Sequence, residues 1–224
     1  MFQIRSTRSF AAYAALVLLT VLSLGAKEEK QDAKQTPALR VAIMPVINSS
    51  PDLGATKIME DLIRERIMSA PTDRARFLHP SDTERMLTAR NALDQCDRLT
   101  DRWSKYGTLD STAVAGLDSL LQSDAILFVK VAEWENVRVS VIGRGESNTT
   151  VGLQFALFDL KTLKKTWEKD PREQRFAQEI DVSSGSVTYD ETGYIQSRNV
   201  TDPPRYEDVA SDLIRSAFKK FPEK

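Results

Sequence analysis

The chain has one cysteine and one histidine in 224 residues, and each scarcity removes a class of chemistry. Cys96 alone cannot close an internal disulfide, so stability has to come from packing even in an oxidising compartment. Its neighbours Asp94 and Asp97 disfavour a thiolate, which points to a half-buried helix residue rather than a reactive nucleophile. With His79 the only histidine, a zinc site would have to be carboxylate-rich, and no Cys or Glu stands at ligand spacing beside it. A Ser-His-Asp triad would need the same His79, yet there is no Gly-x-Ser-x-Gly elbow, and Ser183-Ser184-Gly185-Ser186 reads as a loop. Preceding Pro80, His79 is expected to end a strand. Gly143-Arg144-Gly145-Glu146-Ser147 lacks the third glycine and the following helix of a phosphate cradle and reads as a hairpin tip. A basic stripe is also missing. Without Arg5 and Arg8 there remain 29 basic against 32 acidic side chains, interspersed, which excludes nucleic acid as an expected partner. No catalytic residue, metal ligand or cofactor site follows from these residues.

What is present begins with an address. Arg5 and Arg8 precede an uncharged run from Phe10 to Ala26, followed by Lys27-Glu28-Glu29-Lys30. A basic start, an apolar middle and the small residues Ser23, Gly25 and Ala26 make the layout of a secretory signal. Cleavage beside Ala26 is the favoured reading. An uncleaved anchor is the other, since the run is slightly shorter than the roughly 20 residues a spanning helix needs. Both readings place the body outside the cytoplasm, because the arginines hold the N-terminus inside. A lipid-anchored bacterial lipoprotein would carry cysteine where Ala26-Lys27 stand. The chain is thus divided into a signal peptide or anchor over 1–26, a flexible charged tether over 27–38 and one domain over 39–221.

Within that domain, Leu39 to Val46 is a near-continuous apolar run typical of a strand buried on both faces. A turn cluster at Asn48-Ser49-Ser50-Pro51-Asp52 leads into a helix from Gly54 to Met68, with Ile58, Met59, Leu62, Ile63 and Ile67 as its stripe. Arg76 to His79 is a short strand, and Ser81-Asp82-Thr83-Glu84 has the form of a capping box opening a helix. Leu99 and Trp103 mark a further helix stopped near Gly107. Asp110 to Gln122 is amphipathic, and Ala125 to Val131 is the strongest strand. Alternation through Val137, Val139 and Val141, then through Val151, Leu153, Phe155 and Leu157, gives antiparallel strands, with another at Lys165 to Glu168 after an Asp159 turn. Residues 170–202 read as an irregular insertion with weak strand hints near 180–182 and 187–189. Pro203-Pro204 opens a last helix striped by Val209, Ala210, Leu213, Ile214, Ala217, Phe218 and Phe221. The order β-α-β-α-α-β-β-β-α predicts an α/β (α+β-like) domain, a mixed sheet with helices packed on it.

Three stretches resemble a known group of bacterial envelope proteins. Val41-Ala42-Ile43-Met44-Pro45-Val46-Ile47-Asn48-Ser49-Ser50-Pro51-Asp52 is similar to a strand ending in Pro-x-x-Asn-x-Ser-Pro-Asp. Ser123 to Phe128 stands where the group steps through Gly-Ala-Asp-Ala into an apolar strand. Leu157 to Thr162, with Trp167 beyond, resembles its Leu-Val-Asp-x-x-Thr-Gly turn, although Leu163 replaces the glycine. The group comprises the α/β domain shared by the curli-secretion lipoprotein (CsgG), the penicillin-binding-protein activator LpoB and the N-terminal domain of TolB. The chain is most similar to uncharacterised envelope lipoproteins with that core. The resemblance implies a non-catalytic accessory role through protein contacts; pore formation is not expected, because lipid-facing hairpins are missing.

The loop with the best functional claim is Asn48, Ser49, Ser50 and Asp52, since ligands gather beyond the carboxyl ends of strands at helix N-termini. Ordinary turn and capping chemistry is the competing account. Trp103, Tyr106, Tyr189 and Tyr194 are candidate interface aromatics. Asp181, Asp190 and Glu191 are the acids a carboxylate-based periplasmic hydrolase would draw on, and a small-ligand sensor would use the Asn48 loop. The reading that integrates these features is an exported accessory protein with an envelope protein as partner, possible self-association and no cofactor.

Overall fold

A run of five residues buried on both faces, Ala125 to Val129, fixes where the sheet must lie: at the centre, with helices on each side. The computed structural model describes residues 38–69, 75–138, 146–177 and 202–222. The leader, most of the tether, the 143–145 hairpin tip and residues 178–201 of the irregular segment lie outside the described residues.

Strand β1 (Leu39–Ile43) pairs in parallel with both β3 (Ala75–Leu78) and β4 (Ala125–Val137). After Met44-Pro45-Val46 the same flank resumes as β2 (Ile47–Asn48), again parallel to β4. Strand β5 (Asn148–Asp159) pairs antiparallel with β4 along its whole length, and both β6 (Lys165–Lys169) and β7 (Arg172–Phe176) pair antiparallel with β5. The order is β3-β1-β4-β5-β6, with β2 beside β4 and β7 beside β5. The mixed α/β sheet predicted from the pattern is the one observed. Two details differ. Val137 belongs to the same long strand as Ala125 to Val131, bulged between Val131 and Glu133, while Val139 and Val141 of the predicted alternation lie outside the described residues. Residues 172–176, read as irregular, form β7, whose charged sequence conceals the strand because it lies at the sheet edge, with exposed residues alternating with half-buried ones.

Side-chain alternation divides the core in two. On one face Val41, Ile43, Leu127, Val129, Leu153, Phe155 and Leu157 meet α1 (Ala55–Leu62) and α6 (Tyr206–Phe218). Helix α1 continues without interruption as a π-helix over Ile63–Met68, which keeps Ile63 and Ile67 on the buried stripe. Phe77, Phe155, Trp167, Phe218 and Phe221 join there in an aromatic cluster with ring centroids 5.1–6.3 Å apart; such pairs contribute about 0.5–1.5 kcal/mol each beyond burial. Arg175 of β7 reaches both Glu173 and Asp212 and ties the edge strand to α6.

On the other face Ala42, Met44, Ile126, Phe128, Ala156 and Phe158 are covered by α2 (Pro80–Ala89), α3 (Leu93–Tyr106), α4 (Ser111–Val114) and α5 (Leu117–Leu121). Helix α2 is not capped by the Ser81 box. His79, just past the strand end, is the cap: its Nδ1 accepts from Ser81 N–H, and Pro80 takes the first helical position, where a missing N–H costs nothing. His79 Nε2 lies 3.3 Å from the Glu60 carbonyl oxygen and 3.5 Å from Arg64 Nη2. The amphipathic stretch 110–122 is two short helices rather than one, because Gly116 turns to φ +80° between them. Helix α3 ends as expected at Gly107, in the left-handed region. Among the described residues no helix is long and apolar enough to cross a membrane.

Candidate functional site

The Asn48–Gly54 loop leaves β2 once Ser49 N–H has bonded the Val131 carbonyl, and it must then reverse into α1 within a few residues. Asn48 does most of the holding. Its Oδ1 accepts from Ser50 N–H at 2.9 Å and from Ser50 Oγ at 2.7 Å, and its Nδ2 donates to the Asp52 carbonyl at 2.6 Å. Asp52 Oδ1 accepts from Gly54 N–H at 2.8 Å, which serves the start of α1 in the absence of a side-chain cap. Both amide atoms of Asn48 and one carboxylate oxygen of Asp52 are therefore engaged inside the loop. With those groups turned inward, Leu53 is left at the tip, 90% exposed.

Beneath the loop lies an aromatic pair. Trp134, almost fully buried on β4, stacks on Tyr206 at the start of α6, with centroids 4.8 Å apart and planes 14° from parallel. Burial pushes the Tyr206 phenol up, and the carboxylates of Asp52 and Glu135 add to the rise. The loop, the distal part of β4 and the first turn of α6 thus meet at one end of the sheet. Thr149 Oγ1, hydrogen-bonded to the Pro204 carbonyl, anchors the entry to α6 there.

No protein-family model matches the chain, and no curated relative matches it in sequence. Several solved structures align with it at low identity. Lipoprotein GNA1162 from Neisseria meningitidis aligns over 62% of this chain and 83% of its own at 16% identity, with a TM-score of 0.43. The PelC dodecamer from Paraburkholderia phytofirmans aligns over 84% and 91% at 14% identity, TM-score 0.43. The LpoB C-terminal domain from Salmonella enterica aligns over 70% and 94% at 12% identity, TM-score 0.32. Distant structural neighbours therefore include bacterial lipoproteins. Likeness at this level decides neither activity nor partner.

The remaining candidates fall in different places. Trp103 is core, 6% exposed and stacked on Phe128 at 4.9 Å, so it is not the surface aromatic expected of it; its helix, α3, buries the stripe Cys96, Leu99 and Trp103. Tyr106, one turn on, is 65% exposed with the Arg102 guanidinium 4.7 Å above its ring. Tyr189, Tyr194, Asp181, Asp190 and Glu191 lie outside the described residues. Burial pushes the Cys96 thiol up to about 11, with Asp97 and Glu84 adding to the rise against a Thr100 hydrogen bond, so the thiolate nucleophile is suppressed. Among the described residues no three His, Cys, Asp or Glu side chains converge as a metal site would require. Sequence reasoning passed over Leu53, Trp134 and Tyr206. Leu53 had a signal: an apolar residue in a polar turn cluster, outside the periodic stripe of the helix that follows.

Proposed function

We propose that this chain is a non-catalytic exported accessory protein of the bacterial cell envelope, working through protein–protein contacts in the assembly, secretion or regulation of an envelope complex. The observation that carries this reading is the Asn48–Gly54 loop: Asn48, Ser50 and one carboxylate oxygen of Asp52 are spent on bracing it, and its one large apolar side chain, Leu53, faces outward. A loop built to hold a small polar ligand would leave its amide and carboxylate free; a loop built to dock presents a rigid apolar contact. The export-signal layout of residues 1–26 supports the location. The motif resemblance to the curli-secretion lipoprotein and TolB, alongside LpoB, belongs to the same reading, as does a single domain over 39–221.

A photo-cross-linking amino acid placed at position 53 of the full-length protein, expressed in its own cell, tests it. The expected result is a discrete adduct with one envelope protein, lost when the neighbouring Asn48 is replaced by alanine to loosen the loop. Adducts no more selective than those from a cross-linker at exposed Lys57 of α1 would defeat the proposal.

A further inference from the structure

The edge formed by β6 and β7 is interrupted at Asp170-Pro171, where proline has no N–H to give a neighbouring strand. Opposite this break, the last turn of α6 and the residue four beyond Ser216 border a cleft of about 360 Å³ lined by Lys169, Asp170, Pro171, Ser216, Ala217 and Lys220. At roughly 30 Å³ per water in the liquid, that is room for about a dozen water molecules. The buried Ala217 is small enough to keep the floor low, and Ser216 and Lys220, four residues apart, share one side of it.

Most of the cations on the neighbouring strands and helix are ion-paired. On the same strands and helix, Lys165 is paired with Glu168, Arg172 with Glu133, Arg175 with Glu173 and Asp212, and Arg215 with Asp212, all at 2.6–3.1 Å. Lys169 and Lys220, like Lys164 and Lys219 close by in sequence, form no such pair among the described residues, although Asp170 borders the same space. Nor does the Ser216 hydroxyl have a hydrogen-bond partner among them. Both ammonium groups border the cleft, and an anion seated within reach of both would accept two charge-assisted hydrogen bonds.

We propose that this cleft binds the anionic head of a small organic molecule, a phosphomonoester or a carboxylate, between Lys169 Nζ and Lys220 Nζ with Ser216 Oγ donating. Pro171 and Ala217 supply the apolar contact for the rest of the ligand, the mixture of a few polar groups and an apolar floor usual in small-molecule sites.

The test is a titration of the full chain with glycerol 3-phosphate, N-acetylalanine and inorganic phosphate, with glycerol as the neutral control, followed through the backbone amides of residues 169, 170, 172 and 216–220. Saturable shifts with at least one anion and none with glycerol are expected, and the anion that saturates tells phosphate from carboxylate. Lys169→Gln and Lys220→Gln should each weaken binding about tenfold, the effect of one lost charge-assisted bond, while Lys57→Gln on α1 leaves it unchanged. Unsaturable shifts with every anion, or affinities that neither glutamine variant alters, would overturn the assignment.

Discussion

Pro45 and Pro171 interrupt the two strands that flank the β4–β5 hairpin at adjoining levels of the sheet. On one side pairing stops after Ile43 with Leu127 and resumes at Ile47 with Lys130. On the other it stops after Lys169 with Phe155 and resumes at Arg172 with Gly152. Val129, the last β4 residue beside the first gap, faces Phe155, the residue just before the second. Each proline removes a ladder donor, which a flanking strand tolerates and a central one does not. The hairpin therefore runs unbroken through a sheet whose flanks are jointed. On one face the joint separates the helix-covered Phe128 and Ala156 from the polar, partly exposed Lys130 and Gln154.

Past that joint, Gly152 sits opposite the β4 bulge, where a Cβ would lie 3.1 Å from Glu133 Cβ and 3.4 Å from Glu133 N. Gly152→Ala is expected to destabilise the protein by about 1–3 kcal/mol, the usual cost of overpacking, with displacement of the Glu133–Arg172 ion pair. Urea unfolding gives the stability, and an unchanged midpoint would show that the bulge yields freely.

Gln122 closes α5 at φ 50° and is exposed. Gln122→Gly should raise stability by about 0.5–1 kcal/mol, because glycine occupies the left-handed region without a Cβ penalty. A thermal melt of the variant that falls below the parent would refute this.

His79→Ala removes the α2 cap and the tie to the Glu60 carbonyl together. The expected loss is about 1–3 kcal/mol. His79→Asn, which keeps a capping oxygen, should recover the part that belongs to the cap, so equal losses in the two variants would locate the whole effect at Glu60.

Acid should weaken the β5–β6 turn. Burial tends to raise the Asp159 carboxyl, but the Thr162 N–H and hydroxyl and the Lys161 N–H outweigh it and hold it below the ordinary value. Asp110, bonded by the Thr112 hydroxyl and N–H, is lowered as well. A carboxylate lowered in the folded state contributes stability above its unfolded value, about 3.9, and loses it as pH falls through the folded value. Stability measured from pH 6 to pH 3 should therefore decline, and the decline below about pH 4 should be shallower in Asp159→Asn, which retains an acceptor but cannot titrate. Parallel curves for parent and variant would remove Asp159 from the account.

The parts of this fold that sequence made legible are those where one period dominates. Ala125 to Val129 could only be a central strand, and the α6 stripe could only face a sheet. Residues 172–176 were opaque because an edge strand needs little apolar surface: Arg172, Gln174 and Phe176 are exposed, and the ion pairs that hold the strand come from Glu133 and Asp212, far away in sequence. The His79 cap was hidden by a better-known signature two residues later. At the candidate site the polar cluster from Asn48 to Asp52 was legible, but which way its side chains turned was not. That depends on Asn48 choosing Ser50 and Asp52 as partners over solvent, a choice only the closed loop displays.

Because those bonds form as the chain folds, the loop that carries Leu53 is ordered before any partner arrives. A segment that becomes ordered only at the moment of contact loses affinity to its own lost freedom. This one gives up almost none, so a single leucine can serve as a firm anchor despite its small area. The same stiffness limits its repertoire: a braced tip cannot remodel itself to suit differently shaped recesses, so one interlocutor with a matching hollow suits it better than many.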